Sequence, residues 1–131
     1  SELVEQDVVE AKPVEGSLEF LTEFSNHFFF AIVSGSDQAE LRRVCKKRKI
    51  DHFFKMILGS PTEKKKNIAD LMTNLNWSHN KSLYVGDSNN DLEAAKANNL
   101  DFVGRCSGLI HWQNFDIKFI SDLSSLYEVL Q

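Results

Sequence analysis

Apolar runs alternate along the chain with segments in which apolar residues recur every three or four positions. The runs are rich in phenylalanine, isoleucine, leucine and valine, which predicts strands, whereas the longer period predicts helices that pack on one face. The pattern predicts strands over residues 28–33, 53–58, 82–85, 101–104 and 118–120, and helices over residues 16–24, 37–49, 65–75, 92–98 and 123–130. Strands that alternate with helices favour an α/β fold with a mostly parallel sheet.

Length and composition agree with one folded domain over residues 1–131. The chain is 42% hydrophobic with a net charge of −4, which suffices for one compact core. No apolar run approaches the roughly 18 residues that cross a membrane, and the first residues lack the pattern of a secretion signal. Cys45 and Cys106 are far apart, which favours neither a disulfide framework nor a zinc site. We therefore expect a cytoplasmic protein without a membrane partner.

Polar residues that suit a phosphate group and a metal ion follow three of the predicted strands. They are Ser34 and Gly35, then Lys64, Lys65 and Lys66, and finally Asp87 and Asp91. Each group alone also fits an ordinary turn, a solvated lysine face or a helix cap. In an open α/β sheet, however, ligands bind at the carboxyl ends of the strands, and carboxylate oxygens suit Mg²⁺. Taken together, the three groups predict a magnesium and phosphate site.

The order and spacing of these residues resemble three motifs of the haloacid dehalogenase-like (HAD) superfamily of phosphatases, most of all its phosphoglycolate-phosphatase-like members. The matching stretches are residues 32–36 (IVSGS), 59–64 (GSPTEK) and 86–95 (GDSNNDLEAA), and residues 119–126 resemble the final strand and helix of the family. The third stretch is the most specific match. The form of the second favours Lys64 over Lys65. Asn98 and Asn99 stand where the family usually has Ala-Gly.

The resemblance implies a three-layer Rossmann-like core that hydrolyses small phosphorylated metabolites with Mg²⁺, through an aspartyl-phosphate. In that scheme Ser34 and the backbone N–H of Gly35 hold the phosphoryl oxygens, and Lys64 neutralises their developing charge. Asp87 binds Mg²⁺ directly. Asp91 either binds the ion through water or steadies the lysine and the loop.

The resemblance also implies a nucleophilic aspartate in an Asp-x-Asp motif at the end of a first, central strand. The only aspartate before residue 16 is Asp7, and no second aspartate stands two residues after it. Residues 1–13 resemble the end of the family's cap domain and its linker to the core. We therefore expect a truncated fragment without phosphatase turnover of its own. The alternative is a natural pseudoenzyme that acts as a magnesium and phosphate-binding module.

The missing strand would belong between the predicted strands 28–33 and 82–85, so the sheet is expected to be incomplete there, with two unpaired inner edges. Unpaired edges attract other strands. The gap could be filled by residues 3–9, by a strand from another chain, which would give a dimer, or by direct closure of the two neighbours.

Two other classes of function find less support in the sequence. Residues 86–88 (Gly-Asp-Ser) also resemble a block of the SGNH esterases with Ser88 as nucleophile, but the Asp-x-x-His that those enzymes need is absent. The basic run at residues 46–49 could contact nucleic acid. Because the chain is negatively charged overall, a solvated helix face is the favoured interpretation, and no nucleic-acid partner is expected.

Overall fold

The structure is a computed structural model that describes residues 6–10, 21–23, 25, 28–105 and 118–120. Its strands are β1 (Gln6–Glu10), β2 (Phe28–Asp37), β3 (Phe54–Ser60), β4 (Ser82–Gly86), β5 (Asp101–Arg105) and β6 (Lys118–Ile120). Its α-helices are α1 (Gln38–Lys47), α2 (Lys64–Leu75) and α3 (Asn89–Ala97). Residues 21–23 are helical, but the rest of the predicted helix 16–24 and the predicted helix 123–130 lie outside the described residues.

The strands form one sheet in the order β3-β2-β1-β4-β5-β6, and each pair of neighbours is parallel. The predicted parallel α/β fold is thus confirmed. Because all the strands run the same way, their carboxyl ends meet at one edge of the sheet. Hereafter this edge is called the carboxyl edge.

The central position of the sheet, which the sequence analysis left open, is taken by β1. Its residues pair with β2 from Gln6↔Phe28 to Glu10↔Ile32 and with β4 from Asp7↔Ser82 to Glu10↔Val85. The expectation of two unpaired inner edges is therefore wrong for this structure. Of the three ways to fill the gap, the structure has the first, with residues 6–10. Val8 and Val9 are both fully buried, so this short segment supplies apolar side chains that a central strand needs.

Two apolar clusters cover the two faces of the sheet. The first contains Val8, Leu21, Phe28, Phe30, Ile32, Leu41, Cys45, Ile50, Phe54, Ile57, Leu83, Val85 and Val103. The second contains Val9, Ala31, Val33, Leu58, Ile68, Leu71, Met72, Tyr84, Ala94, Ala95 and Leu100. Adjacent residues of β1 belong to different clusters because successive side chains of a strand point to opposite faces. The sheet is therefore the middle of three layers.

Local capping explains where the helices begin and end. The Asp37 side chain accepts a hydrogen bond from the Glu40 N–H at 3.0 Å, so α1 begins after Asp37. Ser88 and Asp91 form a capping box, which starts α3 three residues before the predicted residue 92. Asn99 follows α3 with φ 57°, the left-handed conformation that asparagine tolerates at the end of a helix.

Strand β2 is longer than predicted and is irregular at its end. Val33 pairs with Leu58 and Asp37 with Ser60, so four steps along β2 correspond to two along β3. Extra residues of this kind form a β-bulge, which bends a strand and redirects its side chains. Ser34 and Gly35 lie in the bulge, at the carboxyl edge.

No helix among the described ranges is long and apolar enough to cross a membrane.

Candidate phosphate and metal site

The carboxyl edge brings the three predicted motifs into contact. Lys64, the first residue of α2, directs its ammonium group toward both Gly35 and Asp91. Its Nζ atom lies 2.6 Å from Asp91 Oδ1, and a Cβ built on Gly35 would lie 3.8 Å from the same Nζ. Only 14% of the Lys64 side chain is exposed. The stretches at residues 32–36, 59–64 and 86–95 are therefore joined through one lysine.

Gly35 has no side chain at the point where the Lys64 side chain contacts β2. A Cβ at this position would lie 3.4 Å from Lys64 Cε, so a side chain here would come into van der Waals contact with the lysine. The neighbouring Ser34 is 3% exposed, and its Oγ accepts a hydrogen bond from the Ser36 N–H at 3.1 Å. The hydroxyl group keeps a proton to donate. This stretch of β2 thus offers a hydroxyl and backbone N–H groups beside a cation.

Asp91 is the most heavily bonded side chain of the site. Its Oδ1 atom accepts from Lys64 Nζ and from the Tyr84 hydroxyl at 3.1 Å. Its Oδ2 atom accepts from the Asp87 N–H, the Ser88 N–H and the Ser88 hydroxyl at 3.1, 3.1 and 2.9 Å. Since both oxygens are engaged and the residue is 1% exposed, this geometry favours the role of steadying the lysine and the loop over that of a metal ligand.

The glycine before the loop lets Asp91 pack this closely. A Cβ on Gly86 would lie 2.4 Å from Asp91 Cβ and 2.8 Å from Asp91 Oδ2, far inside van der Waals contact. The bare backbone of Gly86 therefore makes the space into which the carboxylate fits.

Asp87 lies at the carboxyl end of β4 and is 6% exposed. Its Oδ2 atom accepts a hydrogen bond of 2.8 Å from Nη2 of Arg105, the last residue of β5. The two side chains are 8% and 15% exposed, so this is a largely buried ion pair. A cation therefore already lies beside the carboxylate that the sequence predicts as the direct magnesium ligand.

The loop that leads to Lys64 is held by side-chain hydrogen bonds from a residue of α1 and a residue of α2. The Asn67 amide donates to the carbonyl groups of Gly59 and Thr62 at 3.1 and 3.3 Å. The Gln38 side chain accepts from the Gly59 N–H at 3.1 Å. Because Asn67 is 5% exposed, its bond to Gly59 is shielded from water and helps to fix the approach of the loop to the site.

A cavity of about 500 Å³ opens beside the Lys64 side chain. It lies between the loop before α2 and the first turns of α3, and its wall includes Gly35, Thr62, Asn90 and Glu93. The lysine is thus reachable from a space large enough for a small molecule.

Tyr84 connects two of the strands beneath the site. Its hydroxyl lies 3.0 Å from the Val33 carbonyl oxygen and 3.1 Å from Asp91 Oδ1, so it can donate to either acceptor. Burial, followed by the negative charges of Asp91 and Asp87 and the hydrogen bond to Asp91, raises the pKa of the Tyr84 hydroxyl far above its ordinary value. The tyrosine therefore remains a neutral donor under physiological conditions.

This raised pKa predicts a loss of stability in alkali. Below the ordinary tyrosine pKa of about 10, the hydroxyl is protonated in both the folded and the unfolded chain. Above it, the unfolded chain releases the proton and the folded chain keeps it, so this group lowers the free energy of unfolding by about 1.4 kcal/mol per pH unit. We expect urea unfolding between about pH 8 and pH 11 to show this component in the wild type and to lack it in Tyr84→Phe. Equal alkaline slopes in the two proteins would contradict the assignment.

The sequence analysis named Ser34, Gly35, Lys64, Asp87 and Asp91, and the structure brings them to one edge of the sheet. Their roles in binding and catalysis stay predictions. Lys65 is exposed, whereas Lys64 is directed into the site, so the geometry agrees with the choice between them. Ser88, the nucleophile of the esterase alternative, has its hydroxyl in the helix cap with Asp91.

The sequence analysis missed Tyr84 and Arg105. Tyr84 lies in an apolar run and was interpreted only as part of a strand. A hydroxyl group in a buried strand needs a hydrogen-bond partner, so a tyrosine at such a position indicates a polar contact. No site residue was predicted at the end of the strand 101–104. The rule that ligands bind at the carboxyl ends of the strands could have found Arg105, because it directly follows the predicted strand 101–104.

The order of these motifs and the sheet agree with one known family. The sequence model of the family described as haloacid dehalogenase-like hydrolase matches residues 2–105. The chain belongs to this family. The matched region contains every candidate site residue from Ser34 to Arg105, so this family membership covers the whole of the site described above.

Several solved structures of the family share the fold. A haloacid dehalogenase-like hydrolase from Streptococcus pneumoniae is 19% identical with a TM-score of 0.79, and the match covers 92% of this chain and 60% of that one. A predicted phosphoglycolate phosphatase from Haemophilus somnus is 21% identical with a TM-score of 0.76, over 89% and 56%. The core domain of a candidate phosphoglycolate phosphatase from Streptococcus pneumoniae is 13% identical with a TM-score of 0.77, over 99% and 98%.

The chain thus spans about 60% of the length of the first of these structures and nearly all of the isolated core domain. A search of curated protein sequences found no match to the chain. At these identities the structural likeness establishes the fold.

Proposed function

We propose that the carboxyl edge is the phosphate and magnesium-binding part of a HAD-type phosphatase site for small phosphorylated metabolites. The observation that carries the proposal is the contact of Lys64 with Asp91 at 2.6 Å beside Gly35, which joins the three motifs in one place. A buried acid that aims a lysine at an open backbone segment is an arrangement suited to an anion.

The residues of this chain would act on the phosphoryl group as follows. The Ser34 hydroxyl and the Gly35 N–H donate hydrogen bonds to its oxygens. The Lys64 ammonium has three N–H donors, of which Asp91 accepts one, so the others can neutralise the charge on the phosphoryl oxygens. Asp91 holds the lysine and the Asp87 loop in position but does not touch the substrate.

A magnesium ion fits the donor chemistry at Asp87. Among the described residues, no group of three or more acidic, histidine or cysteine side chains could hold a metal ion. Mg²⁺ needs fewer protein ligands than that, since it usually keeps several waters and binds through one or two carboxylates and the phosphate oxygens. The positively charged Arg105 guanidinium lies beside Asp87, which supports the proposal that this carboxylate attracts a cation. When bound, the ion would supply electrostatic stabilisation of the phosphoryl oxygens.

The proposal does not extend to turnover by this chain alone. In the family an aspartate at the end of the central strand attacks phosphorus. Here the central strand reads Gln-Asp-Val-Val-Glu and contains no Asp-x-Asp. We infer that the 131 residues bind phosphate but do not hydrolyse phosphoesters.

Two measurements on the same preparation test the proposal. Calorimetric titration with inorganic phosphate should give one saturable site that is tighter with Mg²⁺ than without it. Incubation with a small phosphoester and Mg²⁺ should release no phosphate above a blank. Absence of phosphate binding at millimolar concentration would overturn the proposed function, and magnesium-dependent phosphate release would overturn the expected inactivity.

A further inference from the structure

The ion pair between Arg105 and Asp87 lies at the position where the proposed function needs a metal ion. Arg105 ends β5, and Gly104 before it pairs with Gly86 before Asp87, so the two side chains leave adjacent strands at the same level. The 2.8 Å contact is charge-assisted and mostly shielded from water, which makes it stronger than a surface pair. A guanidinium group cannot lose its proton in proteins, so the positive charge beside Asp87 is permanent.

A metal ion cannot simply be added to this arrangement. Mg²⁺ binds carboxylate oxygens at about 2.0–2.1 Å and requires near-octahedral geometry with little tolerance. The Arg105 nitrogen is at hydrogen-bond distance from one oxygen of the same carboxylate. Two cations around one buried carboxylate repel each other strongly because the local dielectric constant is low.

The neighbouring acid does not offer Arg105 another partner. Both oxygens of Asp91 already accept hydrogen bonds, from Lys64, Tyr84 and the loop that contains Ser88. Asp91 therefore gives the guanidinium no alternative acceptor when a metal ion displaces it from Asp87.

We propose that Arg105 is a built-in competitor of the divalent cation at Asp87. It neutralises the carboxylate in the metal-free protein, and its displacement is part of the free energy of metal binding. This inference rests on the proposed function, since it assumes that Asp87 is a magnesium ligand. It predicts that the native chain binds Mg²⁺ more weakly than the same site would bind it without the Arg105 charge.

The test compares Mg²⁺ binding, measured by calorimetry without phosphate, in wild type and Arg105→Gln. The variant should bind about ten- to a hundredfold more tightly, the effect of one hydrogen bond between charged groups. Arg43→Gln is the matched control, since it makes the same change at an exposed ion pair with Glu40. It should leave the affinity unchanged. In the double variant Arg105→Gln/Asp87→Asn the gain in Mg²⁺ affinity should disappear.

A second measurement uses the wild type alone, in case Arg105→Gln does not fold. Mg²⁺ should shift the side-chain Nε–H signal of Arg105 in ¹⁵N NMR spectra, with the same midpoint as the calorimetric titration. Mg²⁺ could bind through Asp87 in both the wild type and Arg105→Gln without the expected gain in affinity and without a shift of the Arg105 signal. In that case the inference is wrong and the proposed function stands. If neither protein binds Mg²⁺, the magnesium site and this inference both fail, while phosphate binding still tests the rest of the site.

Discussion

Replacing Asp91 with alanine is expected to lower the free energy of unfolding by about 3–5 kcal/mol, as the loss of one partner from a buried ion pair does. The substitution removes the acceptor of Lys64 and of two backbone N–H groups together. Each of these donors is wholly or partly buried and loses a bond that water replaces poorly. Urea unfolding at neutral pH measures the change.

Asp70→Ala is the matched control for Asp91→Ala. Asp70 also pairs with a lysine, Lys66, at 3.0 Å, but its side chain is 49% exposed. Exposed pairs of this kind contribute less than about 1 kcal/mol. If Asp91→Ala costs no more than Asp70→Ala, then Asp91 does not organise the site in the way that its contacts indicate.

Lys64→Ala is expected to weaken phosphate binding by about ten- to a hundredfold, because it removes a charge-assisted hydrogen bond to the anion. Its neighbour provides the control. Lys65→Ala removes the same charge one residue further along α2, from an exposed side chain, and should change the affinity less than about twofold, as the loss of an exposed charge does. Calorimetric titration of both variants with inorganic phosphate in the presence of Mg²⁺ measures the difference.

The contrast between the two lysines separates a specific site from general electrostatic attraction. Circular dichroism should first establish that Lys64→Ala is folded, since the substitution also removes a partner of the buried Asp91. An equal loss of affinity in both variants would mean that phosphate is held by a diffuse positive patch and would contradict the assignment of Lys64.

The periodicity of the sequence was sufficient to predict the parallel sheet, apart from its central strand, and the edge at which the candidate residues meet. Runs such as residues 30–33 are apolar throughout because the strand is covered on both faces, so the pattern indicates the layered arrangement directly. The polar residues after these runs then had to lie at the same edge. Ser34, Lys64 and Asp87 could therefore be placed at this edge of the sheet from the sequence alone, without knowledge of their contacts.

Other features depend on tertiary packing that a local pattern does not contain. Residues 6–10 form the central strand because β2 and β4 both offer them a partner, and nothing in five residues reveals those neighbours. The role of Asp91 follows from five hydrogen bonds, all of which come from residues outside its own helix. Likewise, the link between Arg105 and Asp87 joins residues 18 positions apart.

The central claim is that inorganic phosphate binds at the carboxyl edge, between β2 and Lys64. The most direct measurement is a ¹⁵N NMR titration of the wild-type chain with inorganic phosphate in the presence of Mg²⁺. The account predicts saturable shifts that are largest for the backbone N–H groups of Gly35, Lys64 and Asp87, with little change at the opposite edge around Ser82. Saturable shifts centred on the basic residues 46–49, or none at Gly35, would contradict it.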